Sequence, residues 1–227
     1  AGPVMAFDFS AACSGFLYGL SICQGMLAQS PNARILFVCT EALSRRVNWS
    51  DRSTCVLFGD AATACVLSAS AHKALAGVED VICRSDGAQS DLITVGGGTA
   101  CQYGLGQPVD EHFFITMQGR DTYKHAVRQM VRVCEEILER NRLSIGDVNL
   151  FVPHQANMRI IEAVGGRLNV DGDRVFTNVD RYGNTSSASI PLALAEARAA
   201  GRIKAGDRVL MTAFGAGLTW GAALLRF

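Results

Sequence analysis

The chain has 227 residues, enough for one large domain or two smaller ones. Hydrophobic residues make up 49% of it, an ample supply for a packed core, and 21 basic residues balance 21 acidic ones. This balance argues against a broad basic surface for nucleic acid, and no apolar run is long enough to span a membrane. The charged fraction of 19% lies below the usual quarter, which indicates that part of the surface is buried against a partner.

The eight cysteines form no CxxC pair and no His/Cys cluster with zinc-ligand spacing. We therefore expect reduced thiols in a cytoplasmic protein and no bound metal. Five cysteines lie within apolar runs and are predicted only to pack: Cys23, Cys39, Cys55, Cys65 and Cys134. Cys83 and Cys101 lie near polar or glycine-rich loops and are left unassigned. The sequence opens on Ala1, without a signal peptide, and enters an apolar strand at once, which predicts the later portion of a longer protein.

Residues 4–9 are mostly apolar and predict a buried strand, and apolar residues at helical spacing predict a helix soon afterwards. Cys13 stands at the turn between the two. Free N–H groups and the positive end of a helix dipole meet at such a position, and both favour the nucleophilic thiolate. Ser14 and Gly15 leave room for a substrate to approach. The alternative is a cysteine that only packs, as most buried cysteines do.

The rest of the chain alternates strands with helices. Strands are predicted at residues 34–40, 63–67, 78–84, 148–152, 174–179, 207–214 and 218–226. Helices are predicted at residues 121–142, from about residue 157 and at about 186–200, with polar or glycine-rich loops at residues 41–54 and 85–110. The pattern indicates an α/β fold with a mostly parallel sheet that ends in an antiparallel pair of strands.

Three polar turns follow predicted strands, and active sites collect beyond the carboxyl ends of strands in such sheets. The turns carry Cys13, His154 and Asn184. A lone histidine beside a strand is more often structural than catalytic, and Gly-Asn is ordinary turn chemistry. As a set, however, a thiol, an imidazole and an amide suit acyl transfer, in which a thioester is attacked and a negative oxygen is stabilised.

Four segments resemble β-ketoacyl-acyl-carrier-protein synthase III enzymes. These are DFSAACSGF at residues 8–16, VPHQANMRI at residues 152–160, YGNTSSAS at residues 182–189 and AFGAGLTWG at residues 213–221. The resemblance runs along essentially the whole chain. It implies the thiolase fold, an α/β fold of five αβαβα layers, here lacking the front of the first half-domain. Residues 1–107 would then be the later part of the N-terminal half-domain, and residues 108–227 the C-terminal half-domain.

The resemblance also implies how the reaction proceeds. Cys13 would attack an acyl-CoA primer, expected to be acetyl-CoA, and carry its acyl group. His154 and Asn184 would donate hydrogen bonds to the thioester oxygen as malonyl loses CO₂. The N–H groups of Cys13 and Ala216 would form the oxyanion hole. Phe214, beside the glycine loop that contains Gly215 and Gly217, would shield the site.

Binding residues are implied by the same resemblance. Arg52 and Asn157 would bind CoA. The alternative for Arg52 is an ordinary solvent-exposed arginine in a loop. Acyl carrier protein would bind the segment Gln155, Ala156, Asn157, Met158 and Arg159. From their spacing alone, eight residues or about two helical turns, Arg159 and Arg167 are predicted to form a basic edge for the acidic carrier protein. A homodimer is implied, and CoA thioesters are substrates, so no cofactor is expected.

Three other functions stay open. A related acyltransferase on the same fold, making polyketide, quinolone or hydroxymethylglutaryl products, would use the same three residues. A non-catalytic partner subunit is disfavoured by the intact set of Cys13, His154 and Asn184. A cysteine hydrolase would need a general base for water, whereas the amide of Asn184 is a hydrogen-bond donor and fits acyl transfer better.

Overall fold

A computed structural model describes residues 2–69, 76–96 and 113–227. Cys101, the predicted boundary at residues 107/108 and much of the predicted loop at residues 85–110 lie outside the described residues.

A four-stranded sheet forms the centre of the fold. Its strands are β3 (Gly77–Ser85), β8 (Thr219–Arg226), β7 (Arg208–Gly215) and β6 (Leu150–Pro153), in that order. Only β6 and β7 are parallel, while β7–β8 and β3–β8 are antiparallel. The predicted antiparallel pair at the end of the chain is therefore confirmed, but the prediction of a mostly parallel sheet is wrong for the strands that the structure describes.

Five α-helices accompany the sheet in the described part of the chain. They are α1 (Gly15–Gln29), α2 (Gly119–Arg140), α3 (Met158–Arg167), α4 (Val179–Tyr182) and α5 (Ser189–Ala199). Short 3₁₀ turns lie at Ala12–Ser14, Leu43–Arg45, Gly87–Leu92, Ile145–Asp147, Gly172–Arg174 and Ser186–Ala188. The helix predicted at residues 121–142 corresponds to α2, and its buried face includes Val127, Met130 and Cys134, because these residues recur on one side of the helix. None of these helices is both long and apolar enough to cross a membrane.

Two apolar cores lie on opposite faces of the sheet, because side chains alternate along each strand. On β7, Leu210 packs into a core with α2 and α3, while the neighbouring Met211 packs into a second core with α1 and α5. On β8, Ala222 packs into the first core and Ala223 into the second. The sheet is therefore sandwiched between helices, and α1, which carries the Cys13 turn at its start, is fixed against one face.

Two further strand pairs complete the described structure. β1 (Arg34–Glu41) pairs antiparallel with β2 (Ala61–Ser68), and β4 (Ile93–Val95) pairs with β5 (Ile115–Met117). β1 was predicted to be buried, but only one face of it is. Phe37 and Cys39 point inward, whereas Leu36 and Val38 are 67% and 47% exposed, and Val66 opposite Leu36 is 66% exposed.

Two predicted strands are absent from the described residues. Residues 4–9 pair with no other strand and are exposed, although their sequence is apolar. Residues 174–179 make a single bridge, in which the Phe176 N–H donates to the Phe151 carbonyl at 2.9 Å, and then turn into α4. An apolar run has the side chains of a strand, but a strand also needs a neighbouring backbone that takes up its hydrogen bonds.

The central sheet also crosses the predicted division of the chain. β3 precedes residue 107, yet it hydrogen-bonds to β8 along its length. The first strand of this sheet therefore comes from the segment that was assigned to the N-terminal half-domain.

Candidate active site

The turn that carries Cys13 is held in an unusual backbone conformation. Ala12 has a φ of +46°, which costs a non-glycine residue about 1–2 kcal/mol. Two hydrogen bonds to the start of β8 hold it: the Ser14 hydroxyl donates to the Thr219 carbonyl at 3.1 Å, and the Thr219 hydroxyl donates to the Ala11 carbonyl at 2.9 Å. The Cys13 thiol is therefore presented from a fixed turn and not from a loose loop.

The glycine loop between β7 and β8 lies directly against this turn. A Cβ atom on Gly215 would lie 2.7 Å from the Cys13 nitrogen, so only glycine permits this approach. Ala216 and Phe214 line the same cavity as Cys13. Gly217 is exposed, and its φ is +131°. The structure thus brings Phe214, Gly215 and Ala216 to the nucleophile but not Gly217, and the oxyanion hole of Cys13 and Ala216 stays a prediction.

His154 follows β6 and is almost completely buried, with 1% of its surface exposed. Its Nδ1 atom lies 2.6 Å from the Ser189 hydroxyl at the start of α5, and the ring lines the cavity. Burial lowers the pKa of His154 to about 4, because the charged imidazolium would lose its hydration. His154 is therefore neutral at physiological pH and presents one N–H group.

Asn184 is fixed by a bridge to the chain segment before β2. The Asn184 N–H donates to the Leu57 carbonyl at 2.7 Å, and the Gly59 N–H donates to the Asn184 carbonyl at 3.0 Å. The side-chain oxygen accepts from the Ser186 N–H at 2.9 Å. This bond settles which end of the amide faces the cavity: the oxygen is occupied, so the NH₂ group is the donor available to a ligand.

Two glycines make the Asn184 bridge sterically possible. A Cβ atom on Gly59 would lie 2.0 Å from the Tyr182 carbonyl oxygen, and one on Gly183 would lie 2.9 Å from the Leu57 carbonyl oxygen. Gly183 also has φ +66° and ψ −160°, a conformation that is essentially confined to glycine. The Gly-Asn pair, ordinary turn chemistry in the sequence, therefore has a specific structural role.

Cys13, His154 and Asn184 line one cavity of about 130 Å³. They come from three segments that are far apart in the sequence and meet as predicted, but among the described residues only His154 directly follows a strand, because the strands predicted before Cys13 and Asn184 do not form. The rest of the wall is mainly apolar and includes Leu43, Leu57, Phe58, Ile93, Ile115, Met117 and Met130. A cavity of this kind excludes water around a reacting thioester, and electrostatic stabilisation is stronger where water is excluded.

The predicted thiolate preference of Cys13 is wrong for this structure. Its position at a helix start is confirmed, but burial raises the pKa of the Cys13 thiol to about 11, and the charge of Glu41 raises it further. A hydrogen bond with Ser186 opposes this rise only in part. Desolvation is the largest of these effects, so the resting nucleophile is the protonated thiol.

The predicted binding residues divide by exposure. Arg52, Met158 and Arg159 are exposed and available to a partner, whereas Ala156 and Asn157 are half-buried and line the cavity. Asn157 caps α3, with its side-chain oxygen accepting from the Ile160 N–H at 3.0 Å.

Gln155 is 1% exposed, and both ends of its amide are bonded inside the protein. Its Nε2 donates to the carbonyls of Pro153 and Phe176, and its Oε1 accepts from the Asn178 N–H at 2.9 Å. Gln155 is thus a brace for the turn that carries His154, and its predicted contact with a carrier protein is wrong for this buried side chain.

The other cysteines with described positions carry no comparable set of partners. Cys23, Cys39 and Cys134 are buried, and Cys55, Cys65 and Cys83 are half-buried. Burial raises the pKa of Cys23, Cys39, Cys65, Cys83 and Cys134. No group of three metal-ligating side chains occurs among the described residues.

Sequence reasoning missed the residues that hold the site together. Glu41, at the end of β1, accepts hydrogen bonds from the Ser187 N–H at 3.1 Å and from the Ser187 hydroxyl at 2.6 Å. These bonds attach the turn that carries Asn184 to β1. Ser189 and Thr219 contact the histidine and the nucleophile turn. A serine or glutamate without a turn or helix-capping position gives no sequence signal of such contacts.

Comparison with known proteins supports one family. The family described as 3-oxoacyl-[acyl-carrier-protein (ACP)] synthase III matches residues 7–87, and its C-terminal part matches residues 138–227. A relative named β-ketoacyl-[acyl-carrier-protein] synthase III, from Nitratidesulfovibrio vulgaris strain DP4, is 59% identical over 226 residues. The match covers 99% of this chain and 68% of the relative.

Solved structures agree with this match. The crystal structure of 3-oxoacyl-[acyl-carrier-protein] synthase III from Aquifex aeolicus VF5 has a TM-score of 0.89 and 44% identity, covering 99% of this chain and 68% of that one. The priming β-ketosynthase of the R1128 polyketide pathway has a TM-score of 0.85 and 36% identity, covering 97% and 65%. The chain therefore spans about two thirds of the length of these relatives.

Proposed function

The chain belongs to the β-ketoacyl-[acyl-carrier-protein] synthase III family, and from this we propose that it condenses an acyl-CoA primer with malonyl-acyl carrier protein. It is an acyltransferase of the thiolase fold, a condensing enzyme of fatty acid synthesis. Acetyl-CoA is the proposed primer. The observation that carries the proposal is that Cys13, His154 and Asn184 meet in one apolar cavity.

The first half of the reaction loads the primer. The Cys13 sulfur attacks the thioester carbonyl of the acyl-CoA, forming a carbon–sulfur bond while the bond to the CoA sulfur breaks. The thiol proton ends on the departing CoA, so no outside base is consumed. The negative oxygen of the tetrahedral intermediate lies where the N–H groups of Cys13 and Ala216 are proposed to donate.

The second half forms the new carbon–carbon bond. The malonyl carboxylate leaves as CO₂, and its bonding electrons become an enolate on the thioester. The His154 ring N–H and the Asn184 amide NH₂ are proposed to donate to that oxygen. The carbanion then attacks the acyl carbonyl on Cys13, releases the sulfur as thiolate, and the thiolate takes a proton from water. Donors suit this step because the charge develops on oxygen and no proton has to be removed.

Mass spectrometry of the intact protein tests the nucleophile. Incubation with acetyl-CoA should add one acetyl group, and Cys13→Ala should prevent the addition. Cys55→Ala, which removes a half-buried cysteine that does not line the cavity, is the matched control and should still be acetylated. Acetylation of Cys13→Ala to the same extent would overturn the assignment.

The division of labour between the residues is tested separately. His154→Ala should abolish malonyl decarboxylation while Cys13 still accepts acetyl. His125→Ala on α2, outside the cavity, is the control. Equal loss of both partial reactions in His154→Ala would contradict the proposed role of the histidine.

Substrate docking is proposed at the exposed arginines. Arg159 at the start of α3 and Arg167 at its end are exposed and suit an acidic carrier protein. Arg159→Glu should raise KM for malonyl-acyl carrier protein more than KM for acetyl-CoA. Arg198→Glu, an exposed arginine on α5, is the control. Arg52 is proposed to bind CoA, so Arg52→Ala should raise KM for acetyl-CoA more than KM for malonyl-acyl carrier protein.

We propose a homodimer in the cytoplasm. The low charge content and the exposed apolar side chains of Leu36, Val38 and Val66 support burial against another polypeptide. Light scattering at micromolar concentration would give twice the 24.2 kDa chain mass for a dimer, and the mass of one chain would contradict it.

A priming role in polyketide synthesis is the second candidate. The 36% identity to the R1128 priming β-ketosynthase supports it. We expect both candidates to use the same cavity residues and to differ in primer. A panel of acyl-CoAs in the mass assay separates them, since preferred loading of acyl groups longer than acetyl would favour the second.

A further inference from the structure

Ser189 is a buried polar residue directly behind His154. It is the first residue of α5, and 1% of its surface is exposed. Its hydroxyl oxygen lies 2.6 Å from the His154 Nδ1 atom, on the opposite side of the ring from Nε2. A contact this short between two buried groups is a hydrogen bond whose direction determines where the imidazole carries its proton.

The other contacts of Ser189 settle the direction of that bond. The Gln155 N–H points at the Ser189 oxygen at 3.4 Å, so the oxygen acts there as an acceptor. Among the described residues, the only acceptor within hydrogen-bonding distance of the Ser189 hydroxyl proton is His154 Nδ1. If Nδ1 carried the proton instead, the buried hydroxyl would receive two hydrogen bonds and have no acceptor for its own proton, which is unfavourable.

We propose that Ser189 is a positioning residue that donates to His154 Nδ1 and so holds the ring as the Nε2–H tautomer, with that N–H available to the cavity. The inference rests on the proposed function, in which His154 donates to the thioester oxygen. The lowered pKa of His154 fits this arrangement, since a neutral ring carries one proton and its location decides between donor and acceptor. With the proton on Nδ1, the cavity would meet a lone pair, which repels the developing enolate.

Ser189→Ala removes the donor while leaving the helix start intact. The free Nδ1 then takes the proton in part of the molecules, and His154 Nε2 loses its donor character in those molecules. Removing the partner that orients a metal-bound histidine lowers activity by about tenfold to a hundredfold, and we expect a loss of that order here. The loss should fall on kcat for malonyl decarboxylation, with little change in KM and in Cys13 acetylation. Ser189→Thr keeps a hydroxyl and should restore most of the rate.

Nitrogen-15 NMR of ring-labelled histidine reads the tautomer directly. The chain has four histidines, and His154→Gln identifies the signal of interest by its loss. In the unmodified protein we expect a protonated Nε2 and an unprotonated, hydrogen-bonded Nδ1. Ser189→Ala should show a mixture of tautomers. The spectrum of the unmodified protein does not depend on Ser189→Ala, so it still tests the proposal if that variant folds poorly.

The outcomes separate the two proposals. A proton on Nδ1 in the unmodified protein, or a Ser189→Ala protein with unchanged tautomer and unchanged decarboxylation, overturns the role of Ser189. A changed tautomer with unchanged decarboxylation overturns the donor role of His154 in the proposed function and leaves the tautomer assignment standing. A lower decarboxylation rate with mixed tautomers, restored by threonine, supports both.

Discussion

Raising the pH should activate the Cys13 thiol steeply. With a pKa of about 11, about one molecule in a thousand carries the thiolate at pH 8, and this fraction grows tenfold with each pH unit up to pH 10. Alkylation by iodoacetamide should therefore accelerate about a hundredfold between pH 7 and pH 9. A helix start that lowered the pKa to about 7, as it does in reactive cysteines, would allow only about a twofold rise.

The assay follows alkylation of Cys13 by mass spectrometry of tryptic peptides. Cleavage after Arg34 yields a peptide with both Cys13 and Cys23, and fragmentation assigns the label. Cys23 is 4% exposed, so it serves as an internal control that reacts only if the protein opens. A Cys13 rate that levels off below pH 8 would refute the argument that burial outweighs the helix start.

Three further predictions concern the other site residues. As the pH falls from 6.5 to 4, His154 becomes protonated in the unfolded chain but stays neutral in the folded chain, so the free energy of unfolding should fall by about 3 kcal/mol. In urea titrations over this pH range, His154→Gln should lack this part of the decrease. Gly183→Ala should lower the stability of the protein much more than Gly201→Ala does. Gly201 has a similar φ, near +66°, but open space around its Cβ position. Equal urea-unfolding midpoints for the two variants would contradict the clash with Leu57. Asn184→Asp should lose malonyl decarboxylation at pH 7, because a carboxylate cannot donate, and retained activity would contradict the donor role.

The site residues were predictable because each leaves a local signal. Cys13 is preceded by small residues that permit a tight turn, and His154 follows a short apolar strand. Asn184 follows a glycine whose conformation almost no other residue adopts. A turn is determined mainly by residues that are adjacent in the sequence, so these positions can be identified before the fold is known.

The roles of the residues behind the site leave no such signal, although Ser189 itself lies within the motif at residues 182–189. Ser189 and Glu41 act through contacts with residues that are 35 and 146 positions away, and those contacts exist only after folding. The strand predicted at residues 174–179 fails for the same reason, since its hydrogen-bond partners are decided by the rest of the sheet. The thiol pKa was predicted with the wrong sign because burial, which dominates it, is a property of the whole fold.

The same arrangement that favours condensation should make the acyl-enzyme resistant to water. Hydrolysis of an acyl group on Cys13 needs a base that removes a proton from water, and His154 as the Nε2–H tautomer offers the cavity a donor and no lone pair. The Asn184 amide is also held as a donor, because its oxygen is bonded to the Ser186 N–H. Acetylated protein freed of acetyl-CoA should therefore keep its acetyl mass much longer than one turnover, and lose it on addition of malonyl-acyl carrier protein. Loss of acetyl at the turnover rate without the malonyl donor would indicate a hydrolase and contradict this reasoning.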